Sequence, residues 1–251
     1  MTLIFIGSLV NIFNRKLSPE AYMAKARRAQ TFRARRNLFT GAAELVLSDA
    51  RTDALAEAAF PAYTNRNPVS RELFWERIRT VVRLTEGHRY EAVMDFGCGS
   101  GVLLPFLADC APRVVAADLD LGPLSLVENH LRLPVSVEKF DTRGGLAAIP
   151  DASLDLVTAL DVLEHVEDLP GILSEMRRTL RPGGRLIVSG PTENFAYKLG
   201  RKLSGPEYSG HYHCRNIYDI GREMKNHFSS VRTVRTLVPP VPLFVIYEGR
   251  V

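Results

Sequence analysis

The run VMDFGCGSGV, residues 93–102, sets Gly97, Gly99 and Gly101 at every second position behind an apolar stretch that ends in Asp95. Glycine adopts backbone angles that other residues resist, and without a Cβ the main chain itself can touch a ligand. Dinucleotide folds space their glycines G-x-G-x-x-G and seat a pyrophosphate on the helix N-terminus, whereas this turn reads D-x-G-x-G-x-G. The G-x-x-x-x-G-K-[ST] grip for nucleoside triphosphates does not occur either. A carboxylate two residues ahead of the first glycine suits a ligand with positive charge or a free amine better than one carrying phosphates. Asp118 closes the run VVAAD, where an acid commonly accepts hydrogen bonds from two ribose hydroxyls. Asp120 in the same DLD is its rival for that role. Asp141, in KFDT, is expected beside an adenine amino group.

Two further stretches carry chemistry. DVLEHVED, residues 161–168, gathers Asp161, Glu164 and His165; a histidine there can take a proton near neutral pH. The connection after residue 191 holds Gly200, Gly205 and Gly210 and then His211, Tyr212, His213 and Cys214. Its length is that of a functional loop or lid. Four contiguous residues wrap a single tetrahedral ion poorly, and no second Cys or His pair has ligand spacing nearby, so no metal is assigned there. His211 and His213, with Tyr208, are expected to contact substrate, and His165, His211 and His213 are the candidate catalytic residues. Cys98 and Ser100 read as loop filling, Asp155 as structural, and RPGG (181–184) as turn chemistry.

The elements that must position these residues follow from the pattern after Gly87. Short apolar runs at 91–96, 113–119, 135–140, 154–161, 184–190, 231–238 and 243–249 alternate with helical stretches near 101–110, 122–131, 164–181 and 215–228. That alternation predicts an α/β, doubly wound, mostly parallel sheet covered on both faces, with ligands at the carboxyl ends of its strands. The last two runs are joined only by PPVP, too short for a crossover helix, so they must form an antiparallel pair.

Ahead of this domain, residues 41–60 and 68–87 read as helices, with Leu73, Ile78, Val81 and Val82 near one core-facing side and Pro68 at the start. Trp75 is either packing or a substrate contact. Residues 1–40 hold eight basic side chains against one acid, a net +7, so a formal total of +4 leaves −3 for residues 41–251. The basicity therefore belongs to an arm. It begins MTLIFIGSLVNIF, 13 residues, against the roughly 20 apolar residues that span a bilayer, and its basic pair follows the apolar run rather than preceding it as in a signal peptide. Ser18, Pro19 and Glu20 then signal a helix start. An apolar tip followed by a basic amphipathic helix is the pattern of a segment drawn to anionic lipid; the other reading is a lid with solvated arginines. The organisation expected is a basic amphipathic arm (1–40), a helical extension (41–87) and the ligand-binding domain (88–251). With 46% hydrophobic and 24% charged residues the chain is globular in composition, and three cysteines without framework spacing point to a reduced, cytoplasmic setting, with the arm allowing peripheral association at the inner face of a membrane.

These motifs together resemble class I S-adenosylmethionine-dependent methyltransferases, firmly over residues 88–190 and loosely beyond. The resemblance implies a Rossmann-like seven-stranded sheet with one antiparallel strand. It implies that Asp95, Gly97 and Gly99 hold the methionine part of S-adenosylmethionine, Asp118 the ribose and Asp141 the adenine, with Gly101 and Asp161 also on the cofactor side. Asp161, Glu164 and His165 are similar to the E-x-x-E-H run that binds a divalent metal in ubiquinone-pathway O-methyltransferases, but aspartate replaces the first glutamate, and no metal is assigned. Methyl transfer asks the protein to hold an acceptor in line, about 3–3.5 Å from the methyl, and to keep it nucleophilic; for a hydroxyl acceptor His165 is the expected base. The acceptor class expected is a small amphiphilic or lipid-like molecule at a membrane surface, with a soluble metabolite as the alternative. A non-catalytic cofactor-binding protein and a nucleic-acid modifier are weaker alternatives. The Asn/Asp-Pro-Pro-aromatic motif of exocyclic-amine enzymes is missing from ALDVLEH, which makes nucleic acid an unfavoured partner.

Overall fold

The computed structural model describes residues 19–49, 60–64, 67–192, 215–235 and 242–251. The chain divides into two compact units, residues 1–37 and 38–251. In the first, residues 19–37 are helical, and Lys25, Arg27, Arg28 and Arg33 are exposed. No helix among the described residues is long and apolar enough to cross a membrane.

Helix α1 runs from Pro19 to Asp49, where two helices were expected. Gly41 lies inside it: a mid-helix glycine costs about 1 kcal/mol relative to alanine, which weakens a helix without ending it. Helix α2 (Phe60–Thr64) and helix α3 (Pro68–Thr85) follow. Asn67 caps α3, its side chain accepting from the N–H groups of Val69 (3.0 Å) and Ser70 (3.3 Å), with Pro68 in the first turn where its missing N–H costs nothing. Ile78 and Val81 are buried on the expected face. Trp75 is packing: it is fully buried, its ring lies edge-on to Tyr63 and Phe39, and its Nε1–H donates to the Tyr63 carbonyl at 3.2 Å.

The seven strands are β1 (Ala92–Phe96), β2 (Arg113–Asp118), β3 (Val137–Asp141), β4 (Leu154–Leu160), β5 (Leu180–Pro191), β6 (Ser230–Arg235) and β7 (Phe244–Arg250). They form one sheet in the order β3-β2-β1-β4-β5-β7-β6, parallel except that β7 runs antiparallel to both its neighbours. The order reverses between β1 and β4, which puts the switch point at the glycine run. Helices α4 (Leu104–Leu107), α5 (Gly122–Leu131), α6 (Leu169–Thr179) and α7 (Ile217–His227) complete the fold.

The helix expected over 164–181 is broken. Leu163–His165 form a 3-10 turn, and α6 begins anew at Leu169, with Asp168 accepting from the Gly171 N–H at 3.0 Å and Pro170 in the first turn. A proline cannot continue a helix already under way but starts one readily. Strand β5 begins earlier than expected, at Leu180. Its pairing with β4 steps from Leu180 to Arg185, so RPGG bulges out of the ladder, Gly183 at φ +78°. Asp155 is structural as read: its carboxylate accepts from the N–H groups of Glu91 (2.6 Å) and Ala92 (2.9 Å) and pairs with Arg181.

Candidate active site

At the carboxyl ends of β1, β2 and β4 lies a cavity of about 350 Å³, lined by Asp95, the glycine loop, Asp118, Asp120, Asp161 and His165, together with Tyr63 and Arg77 of the preceding helices. Strand pairing brings its acids together. Asp95 lies between Ala116 of β2 and Thr158 of β4 in register, and Asp118 is opposite Asp141 of β3.

The glycine loop is tied down by its own backbone. The Gly97 N–H donates to the Ala117 carbonyl at 2.7 Å, the Gly101 N–H to the Cys98 carbonyl at 2.8 Å, and the Gly99 N–H to the Asp118 carboxylate at 2.7 Å. Gly97 has φ +72° and Gly101 φ +80°. A Cβ on Gly97 would meet Val162 at 2.5 Å, and one on Gly101 would meet Leu124 at 2.8 Å. Gly97 needs glycine for two reasons at once, a left-handed backbone and close packing against a branched side chain; at Gly101 the left-handed backbone decides, since the Leu124 end can move aside.

Asp95 is 3% exposed and accepts a hydrogen bond from the Thr158 hydroxyl at 2.7 Å. Burial pushes its carboxyl up to about 7; the Thr158 hydrogen bond opposes the shift and the Asp118 charge adds to it. A buried carboxylate in this state gains most from a positively charged ligand group. Asp118 holds Gly99 through one oxygen and the Asp120 N–H through the other at 3.2 Å, yet a carboxylate has about four lone-pair sites, leaving acceptors for hydroxyls. Asp120 also lines the cavity and accepts from the Gly122 N–H at 2.8 Å. The residues present therefore fit a ligand with a cationic centre at β1 and vicinal hydroxyls at β2. Ser100 adds a fully buried hydroxyl in the cavity wall that has no hydrogen-bond partner among the described residues.

The structure does not bring every expected residue to the cavity. Asp141 is turned to solvent, caps the 3-10 turn Thr142–Gly144 by accepting from the Arg143 N–H at 2.9 Å, and pairs with the Arg143 guanidinium, whose hydrogen bonds lower its carboxyl to about 2. His165 is exposed at the cavity mouth. His211 and His213 lie outside the described residues. No group of three or more His, Cys, Asp or Glu with metal-binding geometry occurs among the described residues.

Sequence reasoning missed Arg77 and Tyr63. Arg77 is 3% exposed, pairs with Asp161 and donates to the Tyr63 hydroxyl. The signal was a charge on the apolar stripe: Arg77 sits three after Phe74 and four before Val81, on the face that Ile78 and Val81 bury. A charge there must have a partner.

A family profile described as a methyltransferase domain matches residues 94–188. Over that span the chain is similar to methyltransferase domains. A probable S-adenosylmethionine-dependent methyltransferase of Mycolicibacterium smegmatis is 37% identical over 128 residues, 49% of this chain and 48% of that protein. A ubiquinone biosynthesis O-methyltransferase of Pseudomonas fluorescens is 35% identical over 99 residues, 39% of this chain and 43% of that protein. The chain thus spans about half the length of the curated relatives it matches. Among solved structures, the N-methyltransferase NodS of Bradyrhizobium japonicum in complex with S-adenosyl-L-homocysteine superposes with a TM-score of 0.58 at 17% identity, over 85% of this chain and 98% of that one. The sheet thus shares its fold with that structure, and the glycine loop, Asp118 and the β4 turn all lie within the span the family profile matches.

Proposed function

We propose that this chain is an S-adenosylmethionine-dependent methyltransferase acting on the hydroxyl of a small amphiphilic or lipid-like acceptor. The observation that carries the reading is the buried Asp95 facing a glycine loop whose Gly99 N–H is held by Asp118. When bound, S-adenosylmethionine supplies an electrophilic methyl on a sulfonium. Asp95 meets the positive charge of its methionine part, the glycine loop lies against that part through bare main chain, and Asp118, with Asp120 beside it, accepts from the ribose hydroxyls. Asp141, paired at the surface with Arg143, accepts from the adenine amino group through its remaining acceptor sites or by exchanging that exposed pair. His165, at the mouth, takes the proton of the acceptor hydroxyl. His211 and His213 retain their expected role as substrate contacts.

Two observations favour an amphiphilic acceptor. The exposed basic residues of the arm suit an anionic lipid surface, each worth on the order of 1 kcal/mol there, and a ubiquinone biosynthesis enzyme is among the relatives. On this reading the protein works on the cytoplasmic side, at the inner face of a membrane. A soluble metabolite with the arm as a lid is the second reading. Calorimetry with S-adenosyl-L-homocysteine tests the cofactor: absence of binding by folded protein sinks the reading. Co-sedimentation with vesicles containing anionic lipid, for the full chain against one lacking residues 1–36, separates the two acceptor classes; equal pelleting favours the soluble one. Transfer of labelled methyl into a cell lipid extract identifies the product.

A further inference from the structure

Arg77 comes from helix α3, outside the sheet, yet its guanidinium is buried at the carboxyl end of β4. It pairs with Asp161, donates to the Tyr63 hydroxyl, and lies 4.9 Å from the ring centre of Phe244 and 5.6 Å from that of Phe74. A desolvated guanidinium is tolerated only when its charge is met; here Asp161, the Tyr63 hydroxyl and the two rings meet it, while its Nε makes no hydrogen bond among the described residues. Its partner Asp161 has a left-handed backbone, φ +53°, uncommon for a residue with a side chain, and its N–H donates to the Ser189 carbonyl at 2.9 Å. The next residue, Val162, fills the space left by the missing side chain of Gly97. A contiguous path of contacts therefore joins Tyr63, Arg77, Asp161, Val162 and Gly97.

We propose that Arg77 is a positioning residue for the cofactor loop: by neutralising Asp161 it holds the left-handed turn that presses Val162 against Gly97, so that helices α2 and α3 complete the cofactor site rather than merely cover the sheet. The proposal rests on the cofactor reading above. Nothing in it requires Arg77 to touch the cofactor.

The test is a double-mutant cycle read by calorimetry with S-adenosyl-L-homocysteine, with thermal unfolding beside it. Arg77→Met keeps the apolar stem between the two rings, and Asp161→Asn removes the charge it answers. Each single variant is expected to weaken binding on the order of tenfold, and the double variant no more than the worse single one, because the two residues act as a unit. Arg77→Lys restores part of the affinity. Tyr63→Phe, which trims one hydroxyl, is expected to weaken binding about fivefold and decides the matter alone if Arg77→Met does not fold. Unchanged affinity in folded Arg77→Met, or losses that multiply in the double variant, would overturn the proposal while leaving the cofactor reading intact. A wild-type protein that binds no S-adenosyl-L-homocysteine would remove both.

Discussion

Val162 occupies the space beside Gly97 that a side chain at position 97 would need: a Cβ there would lie 2.5 Å from the Val162 Cγ2. The end of β4 and the glycine loop are therefore packed to contact at a point where the loop backbone is left-handed. Gly97→Ala is expected to destabilise the domain by about 1–3 kcal/mol through overpacking and backbone strain together, and to weaken S-adenosyl-L-homocysteine binding. Adding Val162→Ala removes both Cγ contacts but leaves the residue 162 Cβ 2.6 Å away and φ +72° unchanged, so thermal unfolding should show partial recovery only.

Asp95 is expected to make ligand binding depend on pH. Its carboxyl titrates near 7 when folded, against 3.8 ordinarily, so between about pH 4 and 7 the folded state holds a proton that the unfolded state has lost. The sign follows: this group's contribution lowers stability as pH rises through that window, and the penalty is complete above about 7. A cationic ligand favours the ionised form, so affinity for S-adenosylmethionine should rise from pH 6 to 8 with proton release, measured by calorimetry in buffers of different ionisation enthalpy. Asp95→Asn should flatten the stability profile across the window and weaken binding.

The buried pair Arg185–Glu248 lies at the other end of the strands, where Arg185 pairs in register with Leu156 and Arg250. Arg185 donates to the Glu248 carboxylate at 2.8 Å, to the Tyr90 hydroxyl at 2.6 Å and to the Leu84 carbonyl at 2.7 Å, joining helix α3 to the sheet. Burial alone would raise Glu248, but the Arg232 and Arg185 guanidiniums hold it below the usual carboxylate range. Arg185→Met is expected to cost about 3 kcal/mol in denaturant unfolding, since it leaves a buried carboxylate short of a partner. Cofactor affinity should stay within twofold of wild type.

His165 is the remaining test of mechanism. As the acceptor's base, His165→Gln should lower the methyl-transfer rate by about 10²–10⁴-fold with S-adenosyl-L-homocysteine affinity unchanged. A rate that survives the substitution assigns the proton to another group.

Strands β1, β2, β4 and β7 were legible because each is an apolar run bounded by turn residues, and the antiparallel end followed from a link too short for any crossover. The helix boundaries were less so. Helix α1 ran through Gly41, whose cost is small, and the 164–181 stretch broke at Pro170, whose neighbours did not reveal which side of it would be helical. In the site, Asp95, the glycines and Asp118 stood out because local spacing puts all of them at strand ends. Asp141 shared that logic, but Arg143, two residues on, claims its carboxylate.

The amino-acid sequence by itself determined the alternation of strands and helices, the switch point at Gly97, and the acids that close β1 and β2, because these follow from periodicity and from conformations that only glycine takes easily. Tertiary structure alone decided that Arg77 and Tyr63 join the cavity wall, that Val162 fills the room beside Gly97, and that Asp95 is buried deeply enough to titrate near neutrality. Each of those depends on desolvation and on contact between residues remote in the chain; spacing marks Arg77 as a charge on a buried stripe but not the partners it meets.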